Sequence, residues 1–286
     1  MESSLYNQYI TERLNSISDL PTLPTVAQKV ASLIKAPKTS AADINDAICC
    51  DQALAAKVLK LVNSPFYGFP RRITSITYAV VILGFNAIRN IVLTVTMMDS
   101  YKTRHEDFSM EAFWKHTIGT AVIAESLAKR VKSDAQDDAF IGGLLHDIGK
   151  IIMLHYFNDD FAAVMEEVKK DDCLFLQAES NILQYTHAEI GASLMERWNL
   201  PQHLVEAVQF HHLPNQITIN QQLCALIHLA DILARALLCG NGGDKRIPPI
   251  QQIAWDATGF HKDEMDDILK SVRDDVIRAS AFFDLL

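Results

Sequence analysis

The chain has no paired cysteines, no cluster of basic residues and no long apolar run, and each absence removes a class of protein. Its five cysteines (Cys49, Cys50, Cys173, Cys224 and Cys239) are odd in number, and none falls in a C-x-x-C pair. A disulfide framework is therefore not expected, and free thiols in a reducing cytoplasm are. The adjacent Cys49 and Cys50 read as small hydrophobes inside an apolar helix rather than as a redox or metal pair. Lys and Arg number 26 against 35 Asp and Glu, for a net charge of −9. Duplex binding needs clustered basic residues, so no nucleic-acid partner is expected. The longest apolar stretches are broken by charge or Gly well short of a membrane span. The opening MESSLYNQYITERLNS lacks the basic start and apolar core of a secretory signal. The expectation is a cytoplasmic protein with no membrane association. Sustained apolar–polar alternation is also missing, which argues against strands, and no internal repeat or low-complexity tract is seen.

What is present is enough apolar material for a core: 49% hydrophobic and 21% charged residues over 286 positions, a length suited to one large domain or two ordinary ones. The periodicity is helical throughout and predicts an all-α fold. Leu20-Pro21-Thr22-Leu23-Pro24 makes a rigid lead-in to a helix carrying Val26, Val30, Leu33 and Ile34, which Pro37 closes. Short helices follow at 43–50 and 53–62. Asn63-Ser64-Pro65 stops the second, Gly84 marks another helix end, and 86–98 resumes. The most polar linker, 99–109, places a boundary between an N-terminal helical subdomain, 1–105, and a second helical subdomain, 106–286. In the second, helices are predicted near 111–131, 137–157, 159–169, 186–199, 202–212 and 220–238. A Gly-rich loop at 239–244 and an acidic, amphipathic tail complete it.

The residues able to carry chemistry lie in this second half. In the predicted helix 137–157, Asp147 shares a face with Phe140, Leu144, Ile151 and Leu154. A carboxylate on an apolar face is costly unless a cation or donors satisfy it. His146 and Lys150 occupy the neighbouring arc, beside the small Gly142 and Gly143. Asp231 sits at the edge of an apolar arc formed by Leu223, Ile227, Ala230, Ala234 and Leu238, where a metal or a distant partner is expected. His116 lies early in its helix, and Thr186-His187-Ala188-Glu189 has capping-box spacing that puts His187 in a first turn. His211 and His212 end the helix before Pro214. Imidazole-rich sites suit transition metals, iron or manganese rather than magnesium. Two ions sharing one aspartate would use this inventory for phosphoryl displacement. The aromatic pair Phe282-Phe283 reads as core, and His105, His155, His203, His228 and His261 read as solvated or structural.

The order His116, His146-Asp147, Asp231 resembles the H…HD…D signature of the HD phosphohydrolase superfamily. His187 followed by Gly191, with His211-His212, is similar to the additional histidines of the HD-GYP branch. Lys150, three residues after Asp147, resembles the lysine of an HDIGK motif that contacts substrate phosphate. LPTLP at 20–24, DQALAAKVLKLVNSPFYG at 51–68, ITSITYAVVILGFNAIRNIVL at 73–93 and Trp198-Asn199-Leu200-Pro201 resemble the HDOD family. The resemblance spans roughly 15–240. Two positions depart from the HD-GYP pattern: Leu213-Pro214-Asn215-Gln216 replaces the GYP-type continuation, and Ala112 stands where three-metal members place a glutamate.

The resemblance implies a signalling output module acting through protein partners, with a retained dinuclear site for a divalent transition metal, iron or manganese. Its ligands would be His116, His146, Asp147 and Asp231 for one ion, and Asp147, His187, His211 and His212 for the other. The alternative reading is a metal-dependent phosphohydrolase acting on a nucleotide or phosphodiester, with Asp147 and Lys150 at the reacting centre and a small phosphate-containing ligand.

Overall fold

The computed structural model describes residues 13–14, 17, 22–101 and 105–283, and none of these is in a strand. The protein is all-helical. Parts of the predicted lead-in (20–21), linker (102–104) and tail (284–286) lie outside the described residues. Contacts divide the chain into two units, Met1–Pro21 with Arg104–Arg273 and Thr22–Thr103 with Asp274–Leu286. The compositional boundary after 105 falls beside the step at 103–104, and the tail from 274 groups with the N-terminal helices.

In the smaller unit each helix start has a local cause. Pro24 stands at the N-cap of α1 (Thr25–Lys35). Ser40 and Asp43 close a reciprocal capping box on α2 (Ala41–Cys49). Asp51 caps α3 (Gln52–Val62), and Ser75 caps α4 (Ile76–Leu83). Gly84, at φ +83°, separates α4 from α5 (Phe85–Ser100) in a conformation that other residues adopt only with strain. Helices α1, α3 and α4 pack on α5, whose Ile88, Ile91, Val92 and Val95 are fully buried. Burying each such side chain contributes about 1.5–3 kcal/mol relative to leaving it in water. The tail adds Phe282, edge-on to Phe66 with ring centroids 5.5 Å apart, while Phe283 is only half-buried. The expectation for Cys49 and Cys50 is corrected. Helix α2 buries Ile44, Ala47 and Ile48, and the two thiols, off that face at the helix end, are exposed.

The larger unit is organised around α6 (Met110–Arg130), which packs on α7 (Gln136–Leu145) and α13 (Gln221–Ala236). Gly143 lets α7 close on α6: a Cβ there would lie 2.7 Å from Ala121 Cα. The predicted helix 137–157 is two helices, α7 and α8 (Ile148–Tyr156), interrupted at His146 and Asp147. It is followed by α9 (Asn158–Asp171), α10 (Phe175–Ile182), α11 (His187–Arg197) and α12 (Gln202–Gln209). Helix α10 was not anticipated. Helix α12 stops at Gln209, so His211 and His212 lie in the turn beyond it rather than at its end. Helices α14 (Gln252–Thr258) and α15 (Met265–Arg278) follow α13. No helix among the described residues is long and apolar enough to cross a membrane.

Candidate metal centre

The break between α7 and α8 is what aims Asp147. The residue occupies the N-cap position of α8 with φ −100° and ψ 7°, yet its side chain caps nothing. A carboxylate there ordinarily accepts an N–H from the first turn. Here it turns instead toward histidines from other elements, so the site depends on the break and not on a continuous helical face.

Helix α6 supplies His116, the α7–α8 turn His146 and Asp147, the first residue of α11 His187, the turn after α12 His211 and His212, and α13 Asp231. These seven side chains converge in two groups. Asp147, His187, His211 and His212 offer ligand atoms within 4.8 Å of one another, and so do His116, His146 and Asp231. Asp147 joins the groups through its two oxygens. Oδ2 lies 3.6 Å from His116 Nε2 and 3.4 Å from His146 Nε2, whereas Oδ1 lies 3.1 Å from His187 Nε2 and 4.0 Å from His211 Nε2. His116 Nε2 is 3.1 Å from Asp231 Oδ1, and His212 Nε2 is 3.2 Å from His187 Nε2.

The imidazoles are oriented from behind. His146 Nδ1 donates to Gly143 O at 2.8 Å, and His211 Nδ1 to Val208 O at 2.6 Å. His187 Nδ1 donates to Glu179 Oε2 at 2.7 Å, while Glu179 Oε1 accepts the His187 amide at 2.7 Å. With Nδ1–H so engaged, Nε2 presents a lone pair to the cluster, the arrangement metal-ligating histidines use. The fit is tested by polar atoms that have no hydrogen-bond partner: both ring nitrogens of His116, Nε2 of His146 and of His211, and Oδ1 of Asp147, all buried. Leaving such atoms unpaired costs about 1–3 kcal/mol each. A pair of cations among them would satisfy most of them at once.

The protonation states suit cations as well. Burial pushes the pKa of His116 down against the pull of Asp231, and it pushes His211 and His212 well down, aided by neighbouring imidazoles. Burial works against the ionised form of Asp147, but His146 and Lys150 hold its carboxyl well below the usual range. Arg235 does the same for Asp231 against burial. For His187 burial lowers the pKa, and Glu179 more than reverses it. Neutral imidazoles at His116, His211 and His212 beside the ionised Asp147 and Asp231 form a donor set for divalent cations, and His187, held toward its protonated form by Glu179, gives up a proton on joining it.

Lys150 is fully buried, with Nζ 2.8 Å from Asp147 Oδ2 and 4.9 Å from the centroid of Phe175. Asp231 has a nearer partner than expected: Arg235, one turn along α13, donates Nε to its Oδ1 at 2.8 Å. Arg235 was legible as an i+4 neighbour. Glu179 was legible only as an acid among Phe175, Ala178 and Ile182 in a helix that went unpredicted. His228, expected to be structural, is buried and bonds His211 O through Nδ1 and the Gln251 amide through Nε2.

Glu179→Gln is expected to weaken metal binding by about 10–100-fold, the usual effect of losing a partner behind a ligating histidine. Competition with a chelator of known affinity measures it. An unchanged affinity would remove Glu179 from the supporting layer.

The HDOD domain family model matches residues 20–214, more than half of the chain. The chain belongs to the HDOD family. Asp231 and Arg235 lie beyond the matched segment. An uncharacterized protein of Treponema pallidum (strain Nichols) is 30% identical over 232 residues, 77% of this chain and 43% of the relative, so the HDOD chain spans less than half the length of that curated relative. Among solved structures, an HDOD domain protein of unknown function from Geobacter sulfurreducens is 25% identical and covers 98% of each chain at TM-score 0.85. A chain from Shewanella amazonensis SB2B, described as a candidate phosphohydrolase, is 24% identical, covering 96% of this chain and 92% of its own, at TM-score 0.66. The last likeness is one of fold.

Proposed function

We propose that this HDOD protein is a metal-dependent phosphohydrolase whose seven ligands hold two divalent transition-metal ions, iron or manganese, for the hydrolysis of a nucleotide or phosphodiester. The observation that carries the reading is Asp147: one buried carboxylate, each oxygen facing a different histidine group, with a buried ammonium beside it. When bound, such a pair polarises phosphoryl oxygens and activates water. The chain's own residues do the rest. Asp147 bridges the two ligand groups, and Glu179, Gly143 O and Val208 O fix the imidazoles. Lys150 places a positive charge where phosphate charge would lie, and burial excludes bulk water, which strengthens each of these interactions.

The test is turnover by the full chain reconstituted with Mn²⁺ or, anaerobically, Fe²⁺, on mononucleotides, cyclic dinucleotides and bis(p-nitrophenyl) phosphate. Hydrolysis of at least one class is expected. Two bound ions with no turnover on any class would contradict the reading.

A second reading, a regulatory module acting through signalling proteins with a structural metal site, is favoured by two observations. Nearly all the ligands are buried, as in structural sites, and α4 presents Tyr78, Val81 and Ile82 to solvent at 52%, 67% and 44% exposure. Reproducible retention of a protein partner by the native chain, lost in Val81→Asp, would support it.

A further inference from the structure

Residues 239–246, which follow α13, lie directly on the candidate metal centre. Gly242 is buried, and a Cβ there would sit 2.9 Å from Asp147 Oδ2, 3.1 Å from His116 Cδ2 and 3.3 Å from Lys150 Nζ. The backbone at Gly242 therefore occupies the ground that a ligand's phosphate would need beside those groups. The segment is pinned on α6 as well. The amide of Asn241 donates to Ala112 O at 2.9 Å, and a Cβ on Gly240 would lie 2.0 Å from that same oxygen.

The strongest pin is Asp244, whose carboxylate is buried. It accepts Arg235 Nη1 at 2.8 and 3.0 Å, the Phe175 amide at 3.1 Å and the Arg246 amide at 3.0 Å. The same guanidinium gives Nε to Asp231 Oδ1 at 2.8 Å. One side chain thus holds a candidate metal ligand with one nitrogen and the covering segment with another. Cavities of about 240 and 460 Å³ adjoin the segment, and Asp244 lines both. The smaller reaches Lys150 and His212.

We propose that 239–246 is a strap sealing the metal centre and that Asp244 is its latch, a positioning residue that acts on Asp231 through Arg235. The inference rests on the metal-centre reading and adds to it. A ligand reaches the ground beside His116 and Asp147 Oδ2 when Gly242 lifts and the Asp244–Arg235 pair parts, and Arg235 then keeps Asp231 as its partner.

The test uses the full chain in two arms. In the first, Mn²⁺-loaded protein is mixed with excess chromogenic chelator and metal release is followed. Asp244→Asn is expected to release Mn²⁺ roughly ten-fold faster than wild type or more, from the same initial content. Asp172→Asn, which loses only an exposed pair with Arg246, should release at the wild-type rate. In the second, hydrogen exchange of metal-free protein should show the Asn241 and Gly243 amides protected in wild type and unprotected in Asp244→Asn. A purely packing role for Asp244 would lower thermal stability without changing the release rate at full loading. Wild-type release in Asp244→Asn, or unprotected strap amides in the wild type, would overturn the latch. A wild type that takes up no Mn²⁺ contradicts the metal-centre reading instead, and the exchange arm then decides the strap by itself.

Discussion

Asp147→Asn is expected to lose both ions together and to lower phosphoester turnover by about a hundred-fold or more, with the helical content retained. The reason is geometric. Oδ1 faces His187 and His211, Oδ2 faces His116 and His146, and an amide offers only one acceptor and no charge to share between the groups. Lys150 also loses its counter-charge. A buried charge whose partner is removed costs about 3–5 kcal/mol, a large part of the about 5–15 kcal/mol that ordinarily separates folded from unfolded protein. The metal-free variant should therefore melt earlier than metal-free wild type. Metal analysis and turnover are measured on the same preparation. Retention of both ions at wild-type affinity would show that Asp147 bridges nothing.

Gly149→Ala is expected to damage the fold and the site at once. A Cβ at 149 would lie 1.9 Å from His187 O, 2.7 Å from His187 C and 2.9 Å from the Gly191 amide nitrogen. All three are backbone atoms, so no side chain can swing away, and α8 and α11 must separate. Overpacking against backbone costs about 3 kcal/mol or more. The separation also pulls His187 from Asp147, two residues before Gly149, so metal affinity should fall with stability. Gly191→Ala is the control. Its nearest contacts are Ile148 Cγ2 at 3.3 Å and the Gly149 amide nitrogen at 3.4 Å, which small shifts can relieve at about 1 kcal/mol or less. Urea denaturation midpoints at constant slope measure both. Equal midpoints for the two variants would contradict the close crossing.

The helical class was legible in the sequence, and so were the seven converging side chains, Asp147 and Asp231 because carboxylates on apolar patterns need a reason to be there and the histidines through their places at element ends and the resemblance to the HD families. The route to Asp147 was not legible. Periodicity carries a helix straight through 137–157, because Phe140, Leu144, Ile151 and Leu154 keep their spacing across the break, and only the backbone at His146 and Asp147 shows the interruption. Helix α12 has the same lesson at its end, where the pattern overran Gln209 and placed the two histidines on a helix instead of a turn. Glu179 and Asp244 act over 8 and 69 residues of sequence, and no local pattern marks such partners. The tail's periodicity is amphipathic, but nothing in it says which helices the tail joins.

Metal content tests the central claim most directly. Protein purified without chelators, under air and anaerobically, and analysed for iron, manganese, zinc and nickel per chain, should carry about two equivalents of transition metal under at least one condition, as a paired site requires. Less than one equivalent under both conditions, in protein that is folded and helical, would contradict a metal centre built from these seven residues.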